Sequence, residues 1–235
     1  MLSISATEAW HASHPGASIG VLELSGLEND GACPQLEERK RAAEGDLRGR
    51  YQDFSRQDLL RLPVLSAYSE YYRRFKKTYH VQLQVESIVL KGKSLPHVSP
   101  AVDANFMAEM ETLVLTAGHD VGKLHGSVVM DTSREGDHIV QMGGTFKDLR
   151  PGDMIMRDGQ GICCSIIYGQ DDRSPISPQS SHVLYVAYAP AGVPAKQVDL
   201  QLRSILENIR LCSPTTVVEQ HRLISSTGGC PRALS

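Results

Sequence analysis

The sequence lacks several short motifs by which common enzyme classes are recognised. It contains no G-x-x-x-x-G-K-[ST], no G-x-G-x-x-G after a predicted strand and no H-E-x-x-H. These absences argue against nucleotide-dependent and zinc-dependent chemistry. We therefore expect neither a metal nor a cofactor.

The sequence also has few cysteines and no apolar run long enough to cross a bilayer. None of the five cysteines belongs to a C-x-x-C pair, and Cys163 and Cys164 lie in the run GICCSIIYG, where thiols usually pack as small hydrophobic groups. This usage is typical of a reducing compartment. Residues 1–20 show no basic start followed by an apolar run, so we expect a cytoplasmic protein that does not enter a membrane.

What is present is the composition of a globular protein, with 235 residues of which 41% are hydrophobic. The alternation in IGVLELSGL (19–27) predicts a strand, and QLEERKRAAEGDL and PVLSAYSEYYRRFKK predict helices. Short β-branched runs follow, namely GSVVM, HIVQM, DMIMRD, ICCSIIYG and HVLYVAYA, and AKQVDLQLRSILENIRLC predicts a final amphipathic helix. The pattern predicts an α+β fold with a mixed β-sheet core flanked by helices.

We divide the chain into three parts. Residues 1–84 are predicted to form a strand and a basic helical part of the same domain, and residues 85–212 form its core. Residues 213–235 are predicted to be a loose C-terminal tail, because SSTGGCPRALS has no periodicity.

Charge is unevenly distributed along a chain whose net charge is −3. Residues 39–77 hold eleven Lys and Arg against five Asp and Glu, so this segment is +6 and the remainder is −9. Such a segment is typical either of a surface that binds phosphates or of solvated helix faces. Charge alone leaves both interpretations open.

One helix-sized segment, SPAVDANFMAEMETLVLTAGHD, has polar residues at both ends. Asp103 and Asn105 lie near its start, and His119 and Asp120 follow Gly118 at its end. Gly118 is predicted to end the helix and to leave His119 and Asp120 on a loop. Asp103 and Asn105 are either helix caps or part of a site.

The order and spacing of these residues resemble a known family. LPHVSPAVDANF and GHDVGKLHG are similar to P-I-S-P-V-V-D-V-T-N and H-A-F-D-L-D-K-L-x-G of the tRNA-editing domain of the bacterial phenylalanyl-tRNA synthetase beta subunit, and of freestanding proteins built on it. Asp103 and Asp120 align with the family's two aspartates without a gap. Later segments, REGDHIVQMGGTFKDLRPGDMIMRDGQG, IIYG and HVLYVAYAPAGV, extend the likeness over about residues 85–210.

In that family the domain hydrolyses the ester that joins a wrongly attached amino acid to tRNA. The resemblance therefore implies a tRNA partner and deacylation of mischarged tRNA in trans, with no DNA partner and no ability to charge tRNA. Because an aminoacyl ester is already activated, positioning a water could supply much of the rate without a nucleophile. We assign no catalytic residue, and the oligomeric state stays open.

The resemblance also implies where the site lies. Its pocket is predicted to be lined by Asn105, His119, Tyr168, Gly169 and Tyr185, with Asp103 and Asp120 holding the surrounding loops. The segments YYRRFKK and KGK are predicted to contact tRNA through Arg73, Arg74, Lys76, Lys77, Lys91 and Lys93.

The sequence departs from the family in the pocket. Asn105-Phe106 replaces the family's Thr-Asn, the family's histidine falls on Ala117, and the glutamate that accepts the tyrosine hydroxyl falls on Tyr185. A site without that acceptor loses its selectivity for tyrosine. Tyr185 either narrows the pocket for a smaller amino acid or packs in the core of its strand.

These departures leave two alternatives to a deacylase. The first is a non-catalytic RNA-binding module. The second is a protein that binds a free amino acid or a small metabolite on the same fold, since a fold does not fix a function.

Overall fold

The computed structural model describes residues 1–227 and the backbone of residues 232–233. In those residues the helices are α1 (Glu8–Ser13), α2 (Pro34–Arg50), α3 (Arg56–Leu60), α4 (Pro63–Arg73), α5 (His80–Val89), α6 (Pro100–Thr112) and α7 (Ala195–Arg210). The strands are β1 (Ile4–Ala6), β2 (Ser18–Ser25), β3 (Thr116–Asp120), β4 (Val128–Thr132), β5 (His138–Gln141), β6 (Thr145–Asp148), β7 (Met154–Asp158), β8 (Gly161–Ser165), β9 (Gly169–Gln170), β10 (His182–Ala189), β11 (Val217–Ser225) and β12 (Arg232–Ala233). This is the α+β fold predicted from the sequence.

The first sheet has the order β12-β11-β2-β10-β3, and its four pairs of neighbouring strands are antiparallel. Helix α7 packs on it through its apolar face, as its amphipathic pattern predicts. Gly20 in β2 permits this close packing, because a Cβ there would lie 2.6 Å from the Val198 side chain. The strand predicted near the N-terminus is thus central to the fold, between β10 and β11.

The second sheet has the order β1-β4-β7-β8-β9, and β1 joins it as a parallel neighbour of β4. Strands β5 and β6 form a separate hairpin. The strands predicted from residue 126 onwards all occur, but the run ICCSIIYG (162–169) is divided between β8 and a turn that precedes β9.

Tyrosines of α4 connect the basic N-terminal part to both sheets. The buried Tyr68 hydroxyl donates to the Tyr188 carbonyl of β10 at 2.6 Å, and the Tyr71 hydroxyl donates to Asp153 at 2.7 Å. A buried hydroxyl without a partner would be costly, so these bonds fix how α4 lies on the core.

The segment after α6 differs from the prediction. The helix ends at Thr112, with Leu113 in the left-handed conformation (φ 66°), and residues 116–120 form strand β3. His119 and Asp120 therefore lie on an edge strand paired with β10 rather than on a loop. Cross-strand pairing determines this stretch, and the local sequence carries no signal for it.

The tail prediction was wrong for residues 217–225. They form β11, which pairs with β2 along its length. The last part of the predicted tail, residues 228–231 and 234–235, lies outside the described residues.

The cysteines also differ in part from the expectation. Cys163 and Cys164 are free and buried, as predicted, but Cys33 and Cys212 form a disulfide with Cα atoms 5.5 Å apart. Structural disulfides are rare in reducing compartments, so this pair weighs against the compartment inferred from the cysteine pattern. Among the described helices, none combines the length and apolar character needed to cross a bilayer.

Candidate functional site

Tyr185, a predicted pocket residue, lies in the protein core. Its side chain is fully buried in β10 and its hydroxyl donates to the Ala101 carbonyl of α6 at 2.8 Å. The adjacent Gly118 has little free space, because a Cβ there would lie 2.6 Å from Ile176 Cδ1 and 3.2 Å from the Tyr185 ring. Tyr185 and Ile176 therefore fill the space beside Gly118, and the core alternative raised for Tyr185 describes its position.

His119 is likewise buried rather than open to a ligand. Its Nδ1 lies 2.7 Å from the Ser174 hydroxyl, which itself donates to the Asp171 carboxylate at 2.5 Å. The Gln170 amide nitrogen, a hydrogen-bond donor, also lies 3.0 Å from His119 Nδ1. Desolvation lowers the pKa of His119 to about 3, so the ring is neutral at physiological pH. The hydrogen-bonded residues Asp171, Ser174 and His119 are all buried, so they contribute to packing and present no histidine to a ligand.

The remaining predicted pocket residues are spread over different surroundings. Asn105 is buried and its amide donates to the Thr116 carbonyl at 3.1 Å, so it joins α6 to β3. Tyr168 is partly buried against the small cluster that underlies the β5–β6 hairpin, with the Lys147 ammonium 6.0 Å from its ring centre. Gly169 has a positive φ of 89°, which favours glycine, but it begins β9 instead of lining a described cavity.

Asp103 and Asp120 both accept hydrogen bonds from loop residues. Asp103 accepts from the Val98 amide at 2.9 Å and from the buried Lys40 ammonium at 2.8 Å. Asp120 accepts from the Ser180 hydroxyl at 2.7 Å and from the Gly122 amide at 2.9 Å. One carboxylate therefore fixes the loop before α6, and the other fixes the loop before β10.

The carboxylate of Asp103 also belongs to a cluster with the composition of a metal site. Glu37, His97 and Asp103 bring one ligand atom each to the same place. However, the Lys40 ammonium lies 2.6 Å from the Glu37 carboxylate and 2.8 Å from that of Asp103. An internal cation already neutralises the acids there, so the donor set does not indicate a metal.

A G-x-S-x-G pattern, which sequence reasoning overlooked, occurs at residues 16–20. Its serine, Ser18, begins strand β2 and pairs with Ala189 of β10. A nucleophile elbow requires the serine at a sharp turn between a strand and a helix. Ser18 does not lie at such a turn, so the pattern does not indicate a hydrolase.

Most cations of residues 39–61 are already paired with acids. Ion pairs join Arg39 to Glu207, Lys40 to Asp103, Arg41 and Arg48 to Glu44, Arg56 to Glu86 and Arg61 to Asp58. This part of the basic segment therefore matches the interpretation as solvated or paired helix faces.

The cations predicted to contact tRNA differ from those of residues 39–61, because most of them form no ion pair with a described residue. Arg73, Lys76, Lys77, Lys91 and Lys93 are exposed, and in the described part of the chain none forms an ion pair. Arg74 packs instead on the protein, with its guanidinium 5.1 Å from the Tyr71 ring centre and a hydrogen bond to the Gly152 carbonyl at 3.3 Å. The free positive charge is thus concentrated between the end of α4 and the loop after α5.

A cleft that sequence reasoning missed lies beside these cations. Its volume is about 450 Å³, within the range of small-molecule sites. It is lined by His80, Leu83, Gln84, Ser87, Ile88, Lys93, Ser94, Leu95, Pro96 and Phe106. Phe106 replaces the asparagine of the family motif, so the cleft adjoins that motif. That substitution was the one signal in the sequence that pointed to this place.

His80 is the first residue of α5 and the histidine of this cleft. Its Nδ1 lies 3.3 Å from the Tyr72 hydroxyl, and that hydroxyl donates to the Ile166 carbonyl at 2.5 Å. The ring also packs edge-on against Tyr79, with ring centres 5.6 Å apart. Desolvation lowers the pKa of His80 below its usual value of 6.5.

The relatives of the chain agree with this architecture. Residues 66–208 match the model of the B3/4 domain family, whereas no curated protein matches the chain. A crystal structure of an N-terminal fragment of the phenylalanyl-tRNA synthetase beta-subunit from Pyrococcus horikoshii is similar in fold, with a TM-score of 0.51 and 8% sequence identity. The similarity covers 98% of this chain and 54% of that one, so this chain spans about half of the fragment's length.

Sequence identity of 8% establishes a shared fold and nothing about activity. The family match is stronger, because residues 66–208 are more than half of the 235 residues. It also agrees with the family predicted from the two aspartates and their spacing. The chain belongs to the B3/4 domain family.

Proposed function

We propose that this protein binds tRNA and hydrolyses the ester that joins a mischarged amino acid to the tRNA 3′ end. Membership of the B3/4 domain family supports a synthetase-related role. The observation that carries the proposal is the juxtaposition of a cleft of about 450 Å³ with exposed, unpaired cations, since Lys93 belongs to both. Lysine and arginine side chains attract the phosphates of RNA, and the cleft is large enough for an amino acid and its ester.

The site of hydrolysis in this proposal is the cleft beside Phe106. We prefer this cleft to the pocket first predicted from Asn105, His119, Tyr168, Gly169 and Tyr185, because Tyr185 and His119 are buried and Tyr185 and Ile176 occupy the space beside Gly118. The cleft, by contrast, combines apolar walls from Leu83 and Phe106 with the polar His80. Apolar walls with a few polar groups are the usual composition of a small-molecule site.

A tRNA substrate would place the protein in the cytoplasm, as the sequence suggested. We expect the Cys33–Cys212 disulfide to be reduced there, because cytosolic thiol systems maintain free cysteines. Oxidised and reduced protein should therefore both be assayed.

The proposal is tested with a panel of tRNAs that carry small, β-branched, aromatic and charged amino acids. Release of labelled amino acid above the spontaneous rate for at least one of them is expected. Spontaneous rates throughout the panel, with protein that is folded and binds tRNA, would overturn the deacylase proposal.

A non-catalytic RNA-binding module is the second candidate. The burial of Tyr185, His119 and Asn105 favours it, since these are residues that the family resemblance assigns to the amino-acid pocket. Salt-dependent tRNA binding without turnover would support this candidate. Stabilisation by a free amino acid without tRNA binding would instead favour a small-molecule site.

A further inference from the structure

The protonation of His80 follows from its hydrogen bonds. Tyr72 has one hydroxyl hydrogen, and the Ile166 carbonyl receives it. The Tyr72 oxygen can therefore only accept from the imidazole, so His80 Nδ1 carries a hydrogen and donates. In the neutral ring the lone pair then lies on Nε2, for which the described part of the chain shows no hydrogen-bond partner.

The side chain of His80 is exposed at the cleft, and the groups packed against it favour the neutral ring. Desolvation lowers its pKa, and its place as the first residue of α5 adds the positive end of a helix dipole, which disfavours a second proton. Tyr72 from α4 and the neighbouring Tyr79 have pKa values raised well above 10.0 by burial, so both remain uncharged. Lys93 supplies the cationic group of the same cleft. No described carboxylate forms an ion pair with His80 that would favour the imidazolium.

We propose that His80 is the general base of this cleft and acts on an aminoacyl ester bound beside Phe106. This inference rests on the proposed function and adds to it the residue that activates water. A neutral imidazole with a fixed tautomer and an accessible lone pair is the arrangement that general-base catalysis requires.

The reaction is balanced by one proton that the imidazole takes and returns. His80 Nε2 removes a proton from a water whose oxygen attacks the ester carbonyl carbon. As the tetrahedral intermediate collapses, the bond between that carbon and the ribose oxygen breaks, and the imidazolium returns the proton to the leaving oxygen. The products are a free amino acid and a tRNA with a free 3′-terminal hydroxyl. The Tyr72 hydroxyl serves as a positioning group, because it fixes the tautomer and ring orientation.

The test compares four forms of the full chain on the tRNA that the native protein deacylates fastest. His80→Ala removes the base, and His80→Asn keeps a donor near the Nδ1 position while removing Nε2. His125→Ala is the matched control, since His125 is an exposed histidine outside the cleft whose ring forms no hydrogen bond or ion pair with the described residues. Tm and tRNA affinity are measured for each form, so that loss of folding or binding is separated from loss of chemistry.

We expect both His80 variants to deacylate about 100-fold or more slowly, with tRNA affinity unchanged, and His125→Ala to match the native rate. Added imidazole should restore part of the activity of His80→Ala. After subtraction of the spontaneous rate, the native rate should rise with pH to a plateau, with the midpoint of the rise below pH 6.5, and the variants should lack this rise.

Two results would overturn the inference. Variants of His80 within about threefold of the native rate, or variants without imidazole rescue and with an unaltered pH profile, would overturn the role of His80 while leaving the deacylase proposal in place. A native protein inactive on every tRNA would overturn both. If His80→Ala unfolds, the rate and pH profile of His80→Asn decide the question alone.

Discussion

Lys40 of α2 and Asp103 of α6 form a fully buried ion pair, with the ammonium nitrogen 2.8 Å from the carboxylate oxygen. Such pairs are rare because both ions lose their hydration, and here Glu37 and the Val98 amide complete the hydrogen bonding. The pair ties the basic N-terminal helix to the motif that identified the family. It also gives a physical reason for the aspartate, which holds the loop before α6 in place.

Lys40→Met should destabilise the protein by about 3–5 kcal/mol, because it leaves the Asp103 carboxylate buried without its cation. The free energy of unfolding in urea measures the effect. Arg61→Met is the control, since Arg61 forms an exposed pair with Asp58 that should contribute less than about 1 kcal/mol. Equal small losses for both variants would show that Lys40 does not neutralise Asp103.

Tyr185→Ala should cost about 3–5 kcal/mol, because it removes a fully buried aromatic ring. Tyr185→Phe should cost about 1 kcal/mol, through loss of the hydrogen bond to Ala101. Thermal and urea unfolding test both values. A Tyr185→Ala protein of native stability with a new amino-acid preference would instead restore Tyr185 to the substrate pocket, where the sequence placed it.

Local patterns predicted the fold better than they predicted the site. The alternation of β2 and the amphipathic face of α7 were sufficient to identify those elements, because each depends on its own residues. Strand β3 was missed because it forms by pairing with β10, some sixty residues later in the sequence, and because α6 ends at Thr112 with Leu113 rather than a glycine after it.

The site depends on contacts between distant segments to an even greater degree. Ile176, which fills the space beside Gly118, lies in a segment that the sequence marks only as a loop rich in proline and serine. His80 appears in the sequence as one of nine scattered histidines, and its significance comes from Tyr72 and Ile166, which no motif connects. Asp103, in contrast, was assigned a loop-holding role because the family motif places it there.

The double variant Arg73→Gln/Lys77→Gln should bind tRNA more weakly and show a shallower dependence of log affinity on log salt. Each lost phosphate contact should lower that slope by roughly 0.7–0.9. Lys196→Gln/Arg210→Gln removes the same charge from exposed positions at the two ends of α7 and should leave both quantities near native values. Identical slopes in the two double variants would assign Arg73 and Lys77 to the class of solvated surface charges.

The Cys33–Cys212 disulfide should stabilise the oxidised protein by about 2–5 kcal/mol, because it joins segments 179 residues apart in sequence. Unfolding of native protein and of Cys33→Ser/Cys212→Ser should therefore differ without reductant and nearly coincide with it. The same variant should deacylate at the native rate if the protein works in a reducing compartment. A variant inactive in reductant, although folded, would contradict that location.

Glu109 of α6 provides a test by pH. Its side chain is buried, and desolvation raises its pKa from 4.5 to about 8 despite a hydrogen bond from the Thr116 amide at 2.8 Å. Because the folded pKa is higher than the unfolded one, the folded state holds a proton that the unfolded state releases between about pH 4.5 and pH 8. The contribution of this group to the free energy of unfolding is therefore fully present below pH 4.5 and is lost progressively up to pH 8.

Glu109→Gln keeps the acceptor for Thr116 without ionising, so its stability relative to the native protein should rise across this interval and level off above it. Urea unfolding of both proteins at several pH values measures the difference, and Glu135→Gln, at an exposed position, should show none. A stability difference for Glu109→Gln that does not vary with pH would mean that this carboxyl group ionises normally in the folded protein.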